Sequence, residues 1–225
     1  LAFAEKFEHI KYDLGFIYKV SDVKVISHNY INYTDEKWTY ALGYGLDISI
    51  SGDEFLFIIS HWPSRLKKPH KACDRTVYGT RLRDHVIGIT KSQKSTRIIL
   101  AGDYNDEPFD SPLSSHLKAS RDRSRSLYYD NVFYNPFWRK IGEHQGFPIA
   151  GSTKSAAGTY YYKSGRETRW FNFDSMVFSK SFLKGSGWRL LEDHAEIVST
   201  QDLLGLVYSK AFRFDHLPII STIAR

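Results

Sequence analysis

Six polar residues stand beside or within the most apolar stretches of the chain. His61 follows Phe55–Ser60 (FLFIIS), Asp103 and Asn105 follow Arg97–Gly102 (RIILAG), Asp174 lies inside Phe171–Ser179 (FNFDSMVFS), and Asp215 and His216 precede Leu217–Ile223 (LPIISTI). Three carboxylates, one amide and two imidazoles are the groups that hydrolysis of a phosphodiester uses. They offer oxygen ligands for a hard divalent cation, an acid/base pair, and donors to phosphate oxygens. Singly, each has a plain structural explanation, because an Asp beside a strand commonly caps a turn and a His near an apolar run is commonly a satisfied core residue. Six such groups at strand ends weaken that explanation.

The elements that must position them are legible in outline. Extended segments are expected at Leu14–Tyr18, Val23–Ile26, Thr39–Ile50 and Phe55–Ser60, with a hairpin turn at Gly52-Asp53. From Thr76 to Ile89, Val77, Leu82, Val86 and Ile89 recur at helical spacing with Arg81, Arg83 and Asp84 opposite, which predicts a surface helix on a sheet. Arg97–Ala101 (RIILA) reads as a buried strand, and further strands are expected at Gly158–Tyr162, Phe171–Phe178 and Leu217–Ile223. The polar stretch Ser120–Ser126 (SRDRSRS) reads as an exposed loop. Irregular alternation of strands and helices, with strands ending in Asp, Asn and His, points to a layered α/β protein with its site at strand ends.

Residues 1–225 carry no internal repeat and no linker, so one domain is expected. No apolar run approaches the ~20 residues a membrane helix requires. Lys and Arg exceed Asp and Glu by 31 to 25, and the net charge of +6 suits polyanionic partners without identifying one. The single cysteine, Cys73, excludes an internal disulfide framework and argues against zinc-finger-like ligation. The chain starts at Leu1 and its one methionine is Met176, so residues upstream are expected. The compartment stays open, with the cytoplasm preferred and secretion not excluded.

Four motifs, His61-Trp62-Pro63-Ser64-Arg65, Gly102-Asp103-Tyr104-Asn105-Asp106-Glu107-Pro108, Gly158-Thr159-Tyr160 with Phe173-Asp174-Ser175, and Asp215-His216-Leu217-Pro218-Ile219, occur in a fixed order. They resemble those of the endonuclease/exonuclease/phosphatase (deoxyribonuclease I-like) superfamily from about Asp13 to Ile223. The resemblance implies an α/β two-sheet sandwich flanked by helices. It further implies that Asp103 and Asn105 position and deprotonate the attacking water while holding phosphate and metal, that Asp215 is a metal-linked carboxylate, and that His216 contacts the scissile phosphate. Asp174 is then the carboxylate that orients His216, His61 the second histidine of the site, and Asp13 the carboxylate paired with His61. The implied cofactor is Mg²⁺ or Mn²⁺.

The chain departs from the family pattern at three places. Phe214 stands where relatives carry Ser. Trp38-Thr39-Tyr40 stands where many carry a phosphate-binding arginine, leaving Lys37 or Arg65 as substitutes. An early Asn and a metal-binding Glu are expected to lie ahead of Leu1 and have no counterpart here, since Glu5 and Glu8 stand in the wrong context; the N-terminal strand or strands are therefore expected from an upstream segment or a partner chain. The shared motifs imply metal-dependent phosphodiester hydrolysis, and the basic charge favours a nuclease, endo or exo, acting on nucleic acid. A phosphatase or phosphodiesterase acting on a lipid or small-molecule phosphate is the alternative, and a non-catalytic nucleic-acid-binding relative is a third.

Overall fold

A computed structural model of the chain describes residues 2–3, 14–36, 39–65, 72–92, 96–142 and 155–225. In chain order the strands begin with β1 (Ala2–Phe3), β2 (Gly15–Phe16), β3 (Val23–Thr34), β4 (Thr39–Ile50) and β5 (Asp53–His61). Helix α1 (Ala72–Ser92) leads to β6 (Ile98–Asp103) and β7 (Ala119–Ser120), then α2 (Arg123–Tyr128) and β8 (Phe133–Tyr134). The last third holds β9 (Tyr160–Tyr161), β10 (Trp170–Phe171), β11 (Asp174–Phe178), β12 (Arg189–Ile197), α3 (Gln201–Tyr208) and β13 (Ile219–Ala224).

The central sheet has seven strands in the order β3-β4-β5-β6-β11-β8-β7. β5 and β6 run parallel, joined by the crossover that contains α1, while β11 returns antiparallel on the far side of β6. β1–β2, β9–β10 and β12–β13 form small two-stranded sheets. The fold is mixed α/β as expected, and among the described residues the second layer of the sandwich is the β12–β13 ribbon. No described helix is long and apolar enough to cross a membrane.

β5 and β6 are apolar on both faces because both faces are covered. Leu56, Ile58, Ile98 and Leu100 pack under α1 with Tyr78, Leu82 and Val86. Phe55 and Ile99 point the other way, toward Phe178, Phe182, Leu183 and Leu190. Full burial of side chains such as Ile58 and Leu100 stabilises by about 1.5–3 kcal/mol each. A third cluster, Tyr161, Ile197, Leu204, Val207 and Leu217, packs α3 against the chain around Asp215 and His216.

Several local expectations differ from the structure, among them the strand Phe171–Phe178, which divides at Asn172-Phe173 into β10 and β11 in separate sheets. The hairpin turn is centred on Ser51-Gly52, both at positive φ, with Asp53 already in β5. The SRDRSRS stretch is not a loop throughout, because Asp122 accepts a hydrogen bond from the Arg125 amide and caps α2. β12 and α3 were not expected at all. β12 carries Glu192, Asp193, His194 and Glu196 on a half-exposed ribbon, which hides its apolar alternation.

Candidate active site

Strand register assembles the site. β5 and β6 place His61 opposite Asp103, and β6 and β11 place Asp103 opposite Asp174. Three residues separated by 42 and 71 positions in sequence thus stand side by side on adjacent strands. Gly102 permits this, since a Cβ there would lie 1.9 Å from the Ser60 carbonyl oxygen. His216 arrives from outside the sheet. A bridge pairs it with Tyr160, the Leu217 amide donates to the Thr159 carbonyl at 2.6 Å, and the Thr159 hydroxyl accepts from the Asp174 amide at 3.0 Å.

The expected pairing of Asp174 with His216 is present: His216 Nδ1 lies 2.8 Å from Asp174 Oδ2. That contact fixes the ring with Nε2 toward Asp103, 3.9 Å from its Oδ2. His61 Nε2 lies 3.5 Å from the same oxygen. The Tyr160 ring packs 4.7 Å from the His216 ring and stacks on Phe173 at 5.3 Å, so the imidazole is also held by its face.

Asn105 adopts φ +52°, a left-handed conformation that asparagine tolerates better than most residues. Its amide N–H donates to Asp103 Oδ1 at 2.9 Å, an Asx-type turn. Its side-chain NH₂ donates to the Trp62 carbonyl at 2.8 Å and to Asp103 Oδ2 at 3.0 Å. Both acceptors require the nitrogen on that side, which leaves Oδ1 without a donor among the described residues. Behind the pair, Trp62 and Tyr104 are fully buried with rings 4.9 Å apart.

Burial and the neighbouring Asp174 charge raise the Asp103 carboxyl to about 6, against the opposing pull of His216, the Asn105 amide and His61. Burial opposes the charged form of His216, but the hydrogen bond and charge of Asp174, together with Asp103 and Asp215, outweigh it and push the imidazole up to about 9. At neutral pH the site therefore holds a cationic His216 between carboxylates.

Asp103, Asp174 and His216 present ligand atoms within 4.8 Å of one another. Asp215, the expected metal carboxylate, adjoins this group through the backbone of His216. Asp13 and Lys37 lie outside the described residues. Arg65 reaches the site from behind: its Nε donates to the Asn105 carbonyl at 2.7 Å, and its Nη2 to Asp106 at 3.1 Å and to Asp110. Those donors serve the loop that carries Asn105.

Sequence reading missed Tyr160, Arg75, Asp106 and Glu107. Asp106 and Glu107 stood inside a recognised motif without a role, yet Asp106 is buried, Glu107 is half-buried, and both carboxyls are raised by burial. Glu107 Oε1 accepts the Asn172 amide at 3.1 Å and so ties the loop after β6 to the start of β11.

Comparison with known proteins gives the same fold. The catalytic domain of human nocturnin, solved with a bound sulfate anion, aligns over 91% of this chain and 60% of its own length, at 18% identity and a TM-score of 0.52. A mannosyl-6-phosphatase of Bacteroides thetaiotaomicron aligns over 92% of this chain and 69% of its own, at 13% identity and a TM-score of 0.54. TDP2 of D. rerio, in complex with a single-strand DNA product, aligns over 92% and 70%, at 15% identity and a TM-score of 0.52. No curated protein sequence matches the chain. The sequence model of the Endonuclease/Exonuclease/phosphatase family matches residues 8–206, a span that takes in β5, β6 and β11 with His61, Asp103 and Asp174 and ends before Asp215 and His216. With that match over most of its length, the chain is a member of the Endonuclease/Exonuclease/phosphatase family.

Proposed function

We propose that this chain catalyses metal-dependent hydrolysis of phosphodiester bonds, with nucleic acid as substrate. The observation that carries the reading is the meeting of His61, Asp103, Asp174 and His216 at one level of three neighbouring strands and the segment beside them. Asp103, with a proton affinity near neutrality, accepts the proton of the attacking water, and Asn105 holds that carboxylate in orientation. Cationic His216, oriented by Asp174, donates from Nε2 to a phosphoryl oxygen as charge develops there. Asp174 orients and does not attack.

The donor set fits a hard divalent cation. Asp103 offers carboxylate oxygen and Asn105 an amide oxygen without a donor among the described residues, and Asp215 is the further carboxylate nearby. Asp174 and His216 are engaged with each other, and a cationic imidazole repels a metal ion, so neither is assigned as a ligand. Mg²⁺ or Mn²⁺ held there would supply Lewis-acid polarisation of a phosphoryl oxygen.

The net charge of +6 supports a polyanionic substrate, and the likeness to TDP2 is consistent with it at the level of fold. A phosphomonoesterase acting on a small-molecule or lipid phosphate would use the same groups. The test incubates the protein with single- and double-stranded DNA, RNA, a sugar phosphate and a phosphoinositide, with Mg²⁺, Mn²⁺ or EDTA. Nucleic acid cleavage abolished by EDTA and lowered at least ~100-fold in Asp103→Asn and in His216→Ala is the expected result. Release of phosphate from the sugar or lipid alone would replace the nuclease reading with the phosphatase one. Cleavage that persists in EDTA would overturn both.

A further inference from the structure

Arg75 lies in the first turns of α1, outside every motif, yet it is only 5% exposed, and its partner Asp106 is 2% exposed. Its Nε donates to Asp106 Oδ1 at 2.9 Å and Oδ2 at 2.8 Å. Its Nη1 donates to the Pro63 carbonyl at 2.7 Å and its Nη2 to the Tyr104 carbonyl at 2.6 Å. Pro63 is two residues beyond His61, and Tyr104 stands between Asp103 and Asn105. A single planar guanidinium therefore joins the segments that leave the parallel strands β5 and β6.

The place of that join is informative. The β5–β6 ladder ends at His61 and Asp103, with one further bond from the Trp62 amide to the Asp103 carbonyl. Beyond it the Asn105 side-chain NH₂ donates to the Trp62 carbonyl at 2.8 Å, the Tyr104 amide donates to the Phe173 carbonyl at 2.9 Å, and Asn105 turns into the left-handed region. Arg75 adds a charged tie where the β5–β6 ladder stops. Arg65 adds a second fork, to the Asn105 carbonyl and Asp106.

Stability alone does not account for such a device. A buried ion pair loses hydration that its Coulomb attraction barely offsets, and apolar residues of similar volume commonly hold a core as well or better. What a guanidinium offers and an apolar side chain lacks is five donors in a fixed plane, able to set several acceptors at defined distances.

We propose that Arg75 is a positioning residue: through Asp106 and the Pro63 and Tyr104 carbonyls it sets His61 and the Asp103–Asn105 pair at one working geometry. Arg65 completes the clamp. The proposal rests on the hydrolytic reading above, and it is tested by a readout independent of activity as well. The Asn105 amide donates to Asp103 Oδ1, so its hydrogen exchange reports the geometry of the pair directly.

The experiment compares Arg75→Lys, Arg75→Ala and Arg65→Gln with Arg97→Gln in the full chain. Arg97 pairs with Asp53 at the opposite end of β6 and serves as a comparator for loss of an ion pair remote from the site. Arg75→Lys and Arg75→Ala are expected to lower kcat by roughly 10–100-fold with KM within about twofold, the range seen when groups supporting an active site are lost. Asn105 amide exchange should speed up in both, and millimolar guanidinium should restore part of the Arg75→Ala rate. Arg97→Gln should lower the thermal midpoint while leaving kcat, KM and Asn105 exchange unchanged. A folded Arg75→Lys with kcat within about threefold of wild type, or activity losses that track thermal midpoint across Arg75 and Arg97 variants alike, overturns the proposal. If neither Arg75 variant folds, Arg65→Gln decides by the same two readouts. If the wild-type chain shows no EDTA-sensitive hydrolysis, the hydrolytic reading fails, and Asn105 exchange alone decides: faster in Arg65→Gln supports the clamp, unchanged removes it.

Discussion

Asp103 and Asp174 are direct cross-strand partners, two carboxylates facing one another on adjacent antiparallel strands. Like charges so placed destabilise a sheet. His216 relieves the repulsion, 2.8 Å from Asp174 and 3.9 Å from Asp103, and burial together with the repulsion that remains raises the proton affinity of Asp103. The electrostatic tension and the proposed chemistry are therefore properties of the same three side chains.

Replacing Asp174 by Asn keeps a hydrogen-bond acceptor for His216 Nδ1 and removes the charge. The expected result is a fall in kcat of roughly 10–100-fold with a folded protein. The imidazole should titrate below the value of about 9 that Asp174 helps to set, as read by histidine NMR across pH. An unchanged His216 titration in the folded variant would remove Asp174 from its orienting role.

The same groups make metal-free stability depend on pH. His216 is raised in the folded chain from 6.5 to about 9, so its contribution is complete below pH 6.5 and is lost as pH rises through about 9. Asp103 is raised from 3.8 to about 6, so the folded state binds the extra proton in that interval and loses stability as pH rises through it. The thermal midpoint in EDTA should decline from pH ~6.5 to ~9.5, and His216→Gln should flatten that decline. A midpoint independent of pH over this window would contradict the assigned charge state.

Divalent cation should stabilise the chain apart from any catalysis, because a cation held by Asp103 and Asn105 offsets the carboxylate repulsion. At ten times its Kd a ligand specific for the folded state adds about 1.4 kcal/mol. Differential scanning calorimetry with Mg²⁺ or Mn²⁺ should show a rising midpoint that EDTA reverses and that Asp103→Asn abolishes. Equal shifts in wild type and variant would place the ion elsewhere.

Gly102→Ala tests the close approach of β5 and β6. The added Cβ would sit 1.9 Å from the Ser60 carbonyl oxygen, a backbone atom that cannot step aside. The strands must separate, at a cost of at least ~2 kcal/mol, and His61 should lose its alignment with Asp103. Denaturant unfolding measures the first effect, and cleavage by the folded fraction the second.

The site was legible in the sequence to the extent that apolar patterning announces strands. His61 and Asp103 follow runs that can be read as buried and Asp174 lies inside one; the first two runs are strands of the central sheet, and of the third only Asp174–Phe178 is. Arg75 was not legible, because the helical pattern begins at Val77 and a buried arginine adds nothing to an apolar count. Its burial depends on the loop after Asp103, 31 residues away from it at Asp106. The α2 helix was hidden for a related reason: Asp122 supplies a cap, but the six-residue segment has too few apolar residues to show a period. Charge and spacing can announce a strand end, whereas the partner of a buried charge is fixed only when the chain has closed.

Side chains on a strand alternate faces with every residue, so a slip of β11 by one place against β6 would leave the ladder hydrogen-bonded and turn Asp174 to the opposite side of the sheet. The same slip between β5 and β6 would carry His61 away. A misaligned chain could thus keep most of its secondary structure and be catalytically silent. If the chain hydrolyses as proposed, its turnover is in effect a gauge of strand alignment, sensitive to an error of 3.3 Å or so that circular dichroism would pass over.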